Sequence, residues 1–279
     1  METTKIMKIA ITGATGLVGS RIVELLHRDF EFIPLSSSEF DISNAEKVTE
    51  KLRTLDFDMF LHLAAYTNVD GAENERELAH RINVEGTKNV FDAVTAKGKQ
   101  LIYLSTDFVF DGTHPPYYED SVPHPLGYYA QTKYEGEQVV KDNAMIVRIA
   151  YPYRASFEPK KDFVRTLKSL LEQGRELRMI SDASITPTFI DDIAMALAFL
   201  FKNYTPEIYH IVGGSSLSPY EAALKIADRF KLNKSLVKST TYAEYSVGKA
   251  PRSQWSTIKT NKNTFYKMKT FEEGLAELH

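Results

Sequence analysis

Short apolar runs rich in β-branched residues recur along the first half of the chain, at 6–11, 32–35, 59–63, 101–104 and 145–149, and each gives way to polar or helix-forming sequence. Runs that are apolar at successive positions predict strands buried on both faces. Helical candidates fill the gaps at 17–27, 73–97 and 128–141. Strand alternating with helix predicts an α/β chain built on a Rossmann-type, doubly wound parallel sheet with helices on both faces.

After about residue 150 the pattern loosens. Pro152, Pro159 and Pro187 interrupt it, helices are expected near 162–173 and 191–202, and 207–212 reads as one more strand, closed by Gly213-Gly214. The expected division is a dinucleotide-binding domain over 1–150 and a small, mainly substrate-binding lobe over 151–279, with segments near 185–214 returning to the first domain. The sequence contains no internal repeat and no low-complexity tract.

Composition removes several classes. With 279 residues, 43% hydrophobic and 25% charged, the chain can bury a sizeable core. A formal charge of -3 offers no basic face for displacing counterions, so nucleic acid is not an expected partner. The longest apolar run, 193–201, falls well short of the roughly 20 residues that span a bilayer. The opening segment, 1–8, has no signal-peptide pattern, so no membrane association and a cytoplasmic location are expected. The absence of cysteine excludes disulfides, iron–sulfur clusters and thiolate zinc sites, and the seven histidines show no metal spacing, so no metal is expected.

Two constellations carry chemistry. The first is Thr12-Gly13-Ala14-Thr15-Gly16-Leu17-Val18-Gly19, which follows one expected strand and opens an expected helix. In that context Gly13 serves the tight turn, Gly16 leaves room for a pyrophosphate and Gly19 lets helix pack on strand, while the helix N-terminus offers N–H groups and partial positive charge. The acidic residue that would hold a ribose 2′-hydroxyl about 20 positions on is missing; Leu35 is followed by Ser36-Ser37-Ser38. NAD and NADP both remain open, with NADP favoured because serine hydroxyls can donate to a 2′-phosphate. Asp41 and Ile42 are placed beside the adenine.

The second constellation is Tyr129 and Lys133, one helical turn apart on one face. Tyr245 and Lys249 repeat the spacing, so context must choose, and only the first pair follows a strand whose end carries Ser105-Thr106-Asp107. A ketone accepting hydride needs a proton donor for its developing alkoxide, and a phenol near pKa 10 is too weak until a cation lowers that value. Lys133 would supply the cation and hold the nicotinamide ribose, and Thr106 would donate to the carbonyl oxygen. His62, inside an apolar run, reads as a satisfied core histidine. The loop His114-Pro115-Pro116-Tyr117-Tyr118 is read either as a substrate neighbour or as an exposed aromatic partner site.

These motifs, together with Ala64-Ala65-Tyr66-Thr67-Asn68-Val69-Asp70, Ser105-Thr106-Asp107-Phe108-Val109-Phe110-Asp111-Gly112, Tyr129-Ala130-Gln131-Thr132-Lys133 and Thr186-Pro187-Thr188, resemble the extended short-chain dehydrogenase/reductases, and among them the dTDP-4-dehydrorhamnose reductase family. The likeness is strongest up to Arg148 and weak past residue 215. It implies reduction of a 4-keto sugar nucleotide by NADPH or NADH, with Ala64 and Ala65 flanking the cofactor and Thr67, Val69 and Asp107 lining the substrate side. Family members often carry tyrosine where this chain has Phe108 and tryptophan where it has Tyr151, so the sugar itself stays open. Phe108 also stands where the related dehydratases carry their second acid, which disfavours dehydration but not epimerisation. Arg252, in Pro251-Arg252, reads equally as a diphosphate clamp and as a surface arginine. A homodimer is the oligomer considered. The family also includes the regulatory subunit of methionine adenosyltransferase, so a non-catalytic dinucleotide-binding regulator is the alternative function.

Overall fold

The computed structural model describes residues 5–278, so the first half of the segment 1–8 read above lies outside the described residues. In chain order the elements are β1 (Lys8–Thr12), α1 (Leu17–Leu26), β2 (Glu31–Leu35), α2 (Ala45–Thr54), β3 (Met59–His62), α3 (Arg76–His80), α4 (Gly86–Ala96), β4 (Gln100–Thr106), α5 (Tyr128–Val140) and β5 (Met145–Ile149). They continue with β6 (Pro152–Tyr153), α6 (Phe163–Glu172), β7 (Leu177–Ile180), β8 (Thr188–Phe189), α7 (Ile190–Lys202), β9 (Ile208–His210), α8 (Pro219–Arg229), β10 (Val237–Thr240), α9 (Tyr242–Tyr245) and α10 (Phe271–Ala276).

The chain divides into two units. The first comprises Met1–Thr106, Gly127–Arg148 and Ala194–Tyr209; the second comprises Asp107–Leu126, Ile149–Ile193 and His210–His279. The chain therefore crosses between units more often than a single break near 150 suggests. Residues 107–126 group with the second unit because Tyr117 exchanges backbone hydrogen bonds with Thr257 and Lys259, while the Glu119 carboxylate accepts from the backbone of His210 and Asn261. The returning segment is correspondingly narrower than 185–214.

The first unit carries a parallel six-stranded sheet ordered β2-β1-β3-β4-β5-β9. β1 pairs in parallel with both β2 and β3, so the strand order reverses there, the place where open α/β sheets bind ligands beyond the carboxyl ends of their strands. β3 and β5 are buried at every position, as expected of strands covered on both faces. One side of the core runs from Phe40, Val48 and Leu52 through Phe57 and Phe60 to Val90, Val94 and Tyr103.

The segment 73–97, read from sequence as one helix, is broken. A 3-10 turn at Gly71–Glu73 precedes α3, and a π-helical turn, Arg81–Glu85, joins α3 to α4. The extra residue of a π turn shifts the helix face, and here it places Asn83, 1% exposed, in the interior. The polar groups of Asn83 explain the insertion: its Oδ1 accepts from Tyr66 N at 2.8 Å, and its Nδ2 donates to Tyr66 O at 3.1 Å and Thr132 Oγ1 at 2.9 Å.

The second unit packs α6, α8 and α10 around β7 and its parallel partner β10, with Tyr153, Phe189 and Phe271 in a common core. Tyr117, considered above as part of an exposed loop, is buried and stacks on Phe110 at 4.3 Å. The aromatic loop is therefore anchored inward at that residue.

Inside the first unit, α5 is tied to β5 by Glu137 and Arg148, each 1% exposed and joined by two hydrogen bonds of 2.9 and 2.6 Å. Breaking such a pair leaves a buried guanidinium uncompensated, so Glu137→Ala is expected to cost about 3–5 kcal/mol. Urea unfolding of parent and variant measures this, and a loss under about 1 kcal/mol would contradict the assignment.

Candidate functional site

At the end of β1 the chain turns through Gly13 at φ +69°, a conformation that favours glycine, and the Gly16 amide bonds back to the Gly13 carbonyl. A Cβ at Gly13 would lie 3.0 Å from the backbone of Leu63 and Ala64, while one at Gly19 would lie 2.2 Å from the Gly13 carbonyl. Gly19 thus admits the turn itself, rather than the strand, against α1. Helix α1 starts at Leu17 without a side-chain cap and without an acidic residue in its first turn, so its N-terminal partial positive charge is not offset locally. Thr15 and Gly16 are exposed and Leu17 and Val18 half-buried.

The next loops flank this turn. Ser36 and Ser38 bond to each other at 3.0 Å after β2. Asp41 is exposed, and the Ser43 hydroxyl and amide hold its carboxyl below the usual range. Ile42 is buried, and its carbonyl accepts from Asn89 Nδ2. After β3, Ala64 and Ala65 are half-buried, Thr67 is exposed and Val69 half-buried.

A chain of hydroxyls fixes these loops. Thr12 Oγ1 accepts from Leu63 N and Ala64 N, so its own proton goes to His62 Nδ1 at 2.7 Å. The other ring nitrogen then carries the hydrogen and donates to Thr87 Oγ1, which donates to Asn83 O. Burial, then the neighbouring Lys133, push the His62 pKa down to about 3, so the ring is a neutral spacer with both nitrogens satisfied.

Thr106 ends β4, and Tyr129 and Lys133 lie in the first two turns of α5. All three belong to the first unit and are at least nine-tenths buried. The α5 N-terminus has neither a side-chain cap at Gly127 nor an acid in its first turn. Glu73 supplies both: its Oε1 accepts from Tyr128 N at 2.7 Å, and its Oε2 pairs with Arg76, whose guanidinium lies 4.7 Å from the centre of the Tyr128 ring. The loop carrying Thr67 and Val69 is thereby fastened to the helix carrying Tyr129 and Lys133. Lys133 Nζ donates to Leu104 O at 2.9 Å, and burial pushes its pKa down to about 7, against the pull of Glu137. Beside it, the Ser105 hydroxyl is buried without a hydrogen-bond partner among the described residues.

The second unit gathers the remaining candidates. Tyr151 adopts φ +40°, stacks against Phe108 at 6.4 Å and meets Phe163 edge-on at 5.9 Å. Burial first, then Asp107 and Tyr245, raise its phenol well above the ordinary value, while Arg252 pulls the other way. Asp107, Phe108, Tyr151 and Arg252 therefore share one neighbourhood, joined by Tyr242, which donates to Arg252 O. The Tyr245–Lys249 pair is a cation–π contact, with the ammonium 3.3 Å from the ring centre. Asn83, Glu73 and Tyr242 were not singled out from sequence, since a buried amide, an off-helix cap and a supporting phenol have no spacing signature.

The family described as RmlD substrate binding domain matches residues 7–279. The chain belongs to that family. This RmlD-family chain is 31% identical to the spore coat polysaccharide biosynthesis protein SpsK of Bacillus subtilis, over 90% of this chain and 88% of the relative. It is also 31% identical to methionine adenosyltransferase 2 subunit beta of Xenopus laevis, over 87% and 77%. A crystal structure of dTDP-4-dehydrorhamnose reductase from Bacillus anthracis in complex with NADP superimposes with a TM-score of 0.90 at 32% identity, covering 97% of this chain and 98% of that one. The resemblance read from the motifs and the Rossmann-like fold are thus both borne out. Among the described residues no helix is long and apolar enough to cross a membrane, and no group of three or more acids and histidines could hold a metal ion.

The depressed Lys133 value has a consequence for stability. Between about pH 7 and the ordinary lysine value of 10.5, the unfolded chain binds a proton that the folded chain does not, so stability rises with pH across that window. Lys133→Met removes this contribution. From pH 7 to 10 the parent is expected to gain more than about 1 kcal/mol relative to the variant in denaturant unfolding, and parallel pH curves would contradict the shift.

Proposed function

We propose that this chain reduces the 4-keto group of a 4-keto-6-deoxy sugar nucleotide, most specifically dTDP-4-dehydrorhamnose to dTDP-L-rhamnose, with NADPH favoured over NADH. The observation that carries the reading is the grouping in one unit of Thr106, Tyr129 and the buried, cation-bearing Lys133 beyond the carboxyl ends of the same sheet that carries the glycine turn. Membership of the RmlD family and the likeness to an NADP-bound reductase support the same chemistry.

The residues present fit a dinucleotide. The uncapped N-terminus of α1 suits a pyrophosphate, and the unpartnered Ser105 hydroxyl retains hydrogen-bonding capacity next to Leu104, whose carbonyl holds Lys133. Gly13, Thr15, Gly16, Leu17, Val18 and Gly19 would hold the phosphates, Ser36 the adenosine 2′ substituent, Asp41 and Ile42 the adenine edge, and Ala64 and Ala65 the nicotinamide half. The dinucleotide supplies hydride when bound. Tyr129 donates the proton that the carbonyl oxygen needs, Lys133 in its charged form lowers the cost of leaving a phenolate behind, and Thr106 donates a hydrogen bond that orients the carbonyl. The second unit serves as the substrate lobe: Tyr151 and Phe108 supply an apolar stack for a deoxy-sugar, and Arg252 offers a guanidinium to the diphosphate. Thr67 and Val69 of the first unit belong to the substrate side as well, and a cytoplasmic site of action follows from the substrate class.

A second reading is favoured by the likeness to methionine adenosyltransferase 2 subunit beta, whose name assigns that protein a subunit role. On this reading the dinucleotide site would bind without turnover.

The test is oxidation of NADPH and NADH by purified protein in the presence of dTDP-4-keto-6-deoxy-L-mannose generated in situ. Enzyme-dependent loss of nicotinamide absorbance, faster with NADPH, is expected. Tight dinucleotide binding with no turnover, together with stable association with a methionine adenosyltransferase, would overturn the reductase in favour of the regulator. Tyr129→Phe is expected to leave NADPH affinity within about threefold and to lower turnover by about 10²–10⁴, measured by fluorescence titration and steady-state kinetics.

A further inference from the structure

Lys133 raises a question that its spacing from Tyr129 does not answer: what keeps an ammonium charged where almost no water reaches it. Its side chain is buried, and besides Tyr129 it has three titratable neighbours, Glu137, His62 and Tyr103. Glu137, one turn along the same helix, is the obvious counter-charge, but both its carboxylate oxygens are committed to Arg148 on β5. His62 on β3 is neutral, held by two threonine hydroxyls. The remaining neighbour is Tyr103 on β4, fully buried, with its ring centre 4.0 Å from Lys133 Nζ.

Several contacts fix that ring, among them a hydrogen bond between the Tyr103 hydroxyl and the Thr87 side chain. The Tyr103 hydroxyl donates to the Lys133 carbonyl at 3.3 Å, fastening the ring to the backbone of the residue whose ammonium it faces. α5 makes room for the phenol at Gly136, where a Cβ would fall 2.4 Å from the Tyr103 oxygen. The His62 ring lies 5.9 Å away, tilted by 35°, and supports the other flank. Burial and Glu137 hold the phenol far above its ordinary value, so Tyr103 presents a neutral ring with its negative π-face toward the cation.

We propose that Tyr103 is a positioning residue that seats the Lys133 ammonium by a desolvated cation–π contact and keeps it charged for the proton-transfer role of Tyr129. The catalytic consequence rests on the reductase reading; the seat itself does not. Glu137, though paired with Arg148, still opposes the desolvation of the ammonium through space, and the Tyr103 ring and the Leu104 carbonyl are the groups in direct contact with it.

The test replaces Tyr103 by phenylalanine and then by 4-fluoro-, 3,5-difluoro- and 3,4,5-trifluorophenylalanine, which keep the ring's shape while draining its π-face. The Lys133 titration midpoint is read by ε-carbon NMR of labelled lysine, assigned by difference from Lys133→Met, and so does not depend on turnover. The midpoint is expected to fall stepwise with fluorination, by about one pH unit from phenylalanine to the trifluoro ring. Where the parent reduces the keto-sugar, the alkaline limb of kcat is expected to move down in parallel, with KM unchanged. A midpoint that stays constant across the series would overturn the proposal, whatever the turnover. A graded midpoint in a protein that turns over no keto-sugar would uphold the seat and sink the reductase reading instead. Tyr103→Phe, which removes only the hydroxyl, is expected to keep the midpoint within about 0.3 units of the parent, and a drop as large as that of the trifluoro ring would also overturn the proposal.

Discussion

The first unit is organised around one electrostatic constraint: a lysine ammonium is held beside the end of β4 with almost no access to water. Burial, opposed by Glu137, takes its pKa down to about 7. Glu137 is paired with Arg148, burial and Lys133 keep His62 neutral between two hydroxyl partners, and the Leu104 carbonyl and Tyr103 ring face the cation. A lysine poised near neutrality responds to small changes in its surroundings, which suits a group that must lower a neighbouring phenol's pKa and then tolerate the change in that phenol's charge.

That constraint reaches the loops through short, directional bonds. Asn83 clamps Tyr66 on the loop after β3 to Thr132 in α5, and Thr132 in turn donates to the Tyr129 carbonyl. Glu73 caps the same helix from the same loop. Thr12 links the end of β1 to Leu63 and Ala64. Within the first unit, the glycine turn, the Ala64–Ala65 loop and the Tyr129 helix are therefore one hydrogen-bonded assembly, and precise relative placement of such groups is worth several orders of magnitude in rate.

The sequence made legible whatever depends on local pattern. Fully buried strands such as 145–149 read as apolar runs, the glycine spacing marked the β1–α1 turn, and the end of β4 singled out Tyr129 over Tyr245. It hid what depends on tertiary partners. The breaks within 73–97 arise because Asn83 needs the interior, and no periodicity announces a π turn. The assignment of 107–126 to the second unit follows from Glu119 and Tyr117 finding partners some 90 to 140 residues away, as with His210 and Asn261. In sequence Tyr103 is one core aromatic among many, and only the fold sets the Lys133 ammonium over its ring. Arg252, ambiguous from sequence, joins the Tyr151 neighbourhood because Tyr242 holds its backbone.

The central claim is that hydride passes to the carbon of a sugar ketone while Tyr129 protonates the oxygen. Its most direct test uses NADPH deuterated at the transferred position, with the product sugar nucleotide examined by mass spectrometry and proton NMR. One deuterium at C4, absent from the solvent-exchanged positions and present in step with NADPH oxidation, is the result predicted. NADPH oxidation without label at C4, or label-free product, would contradict the account.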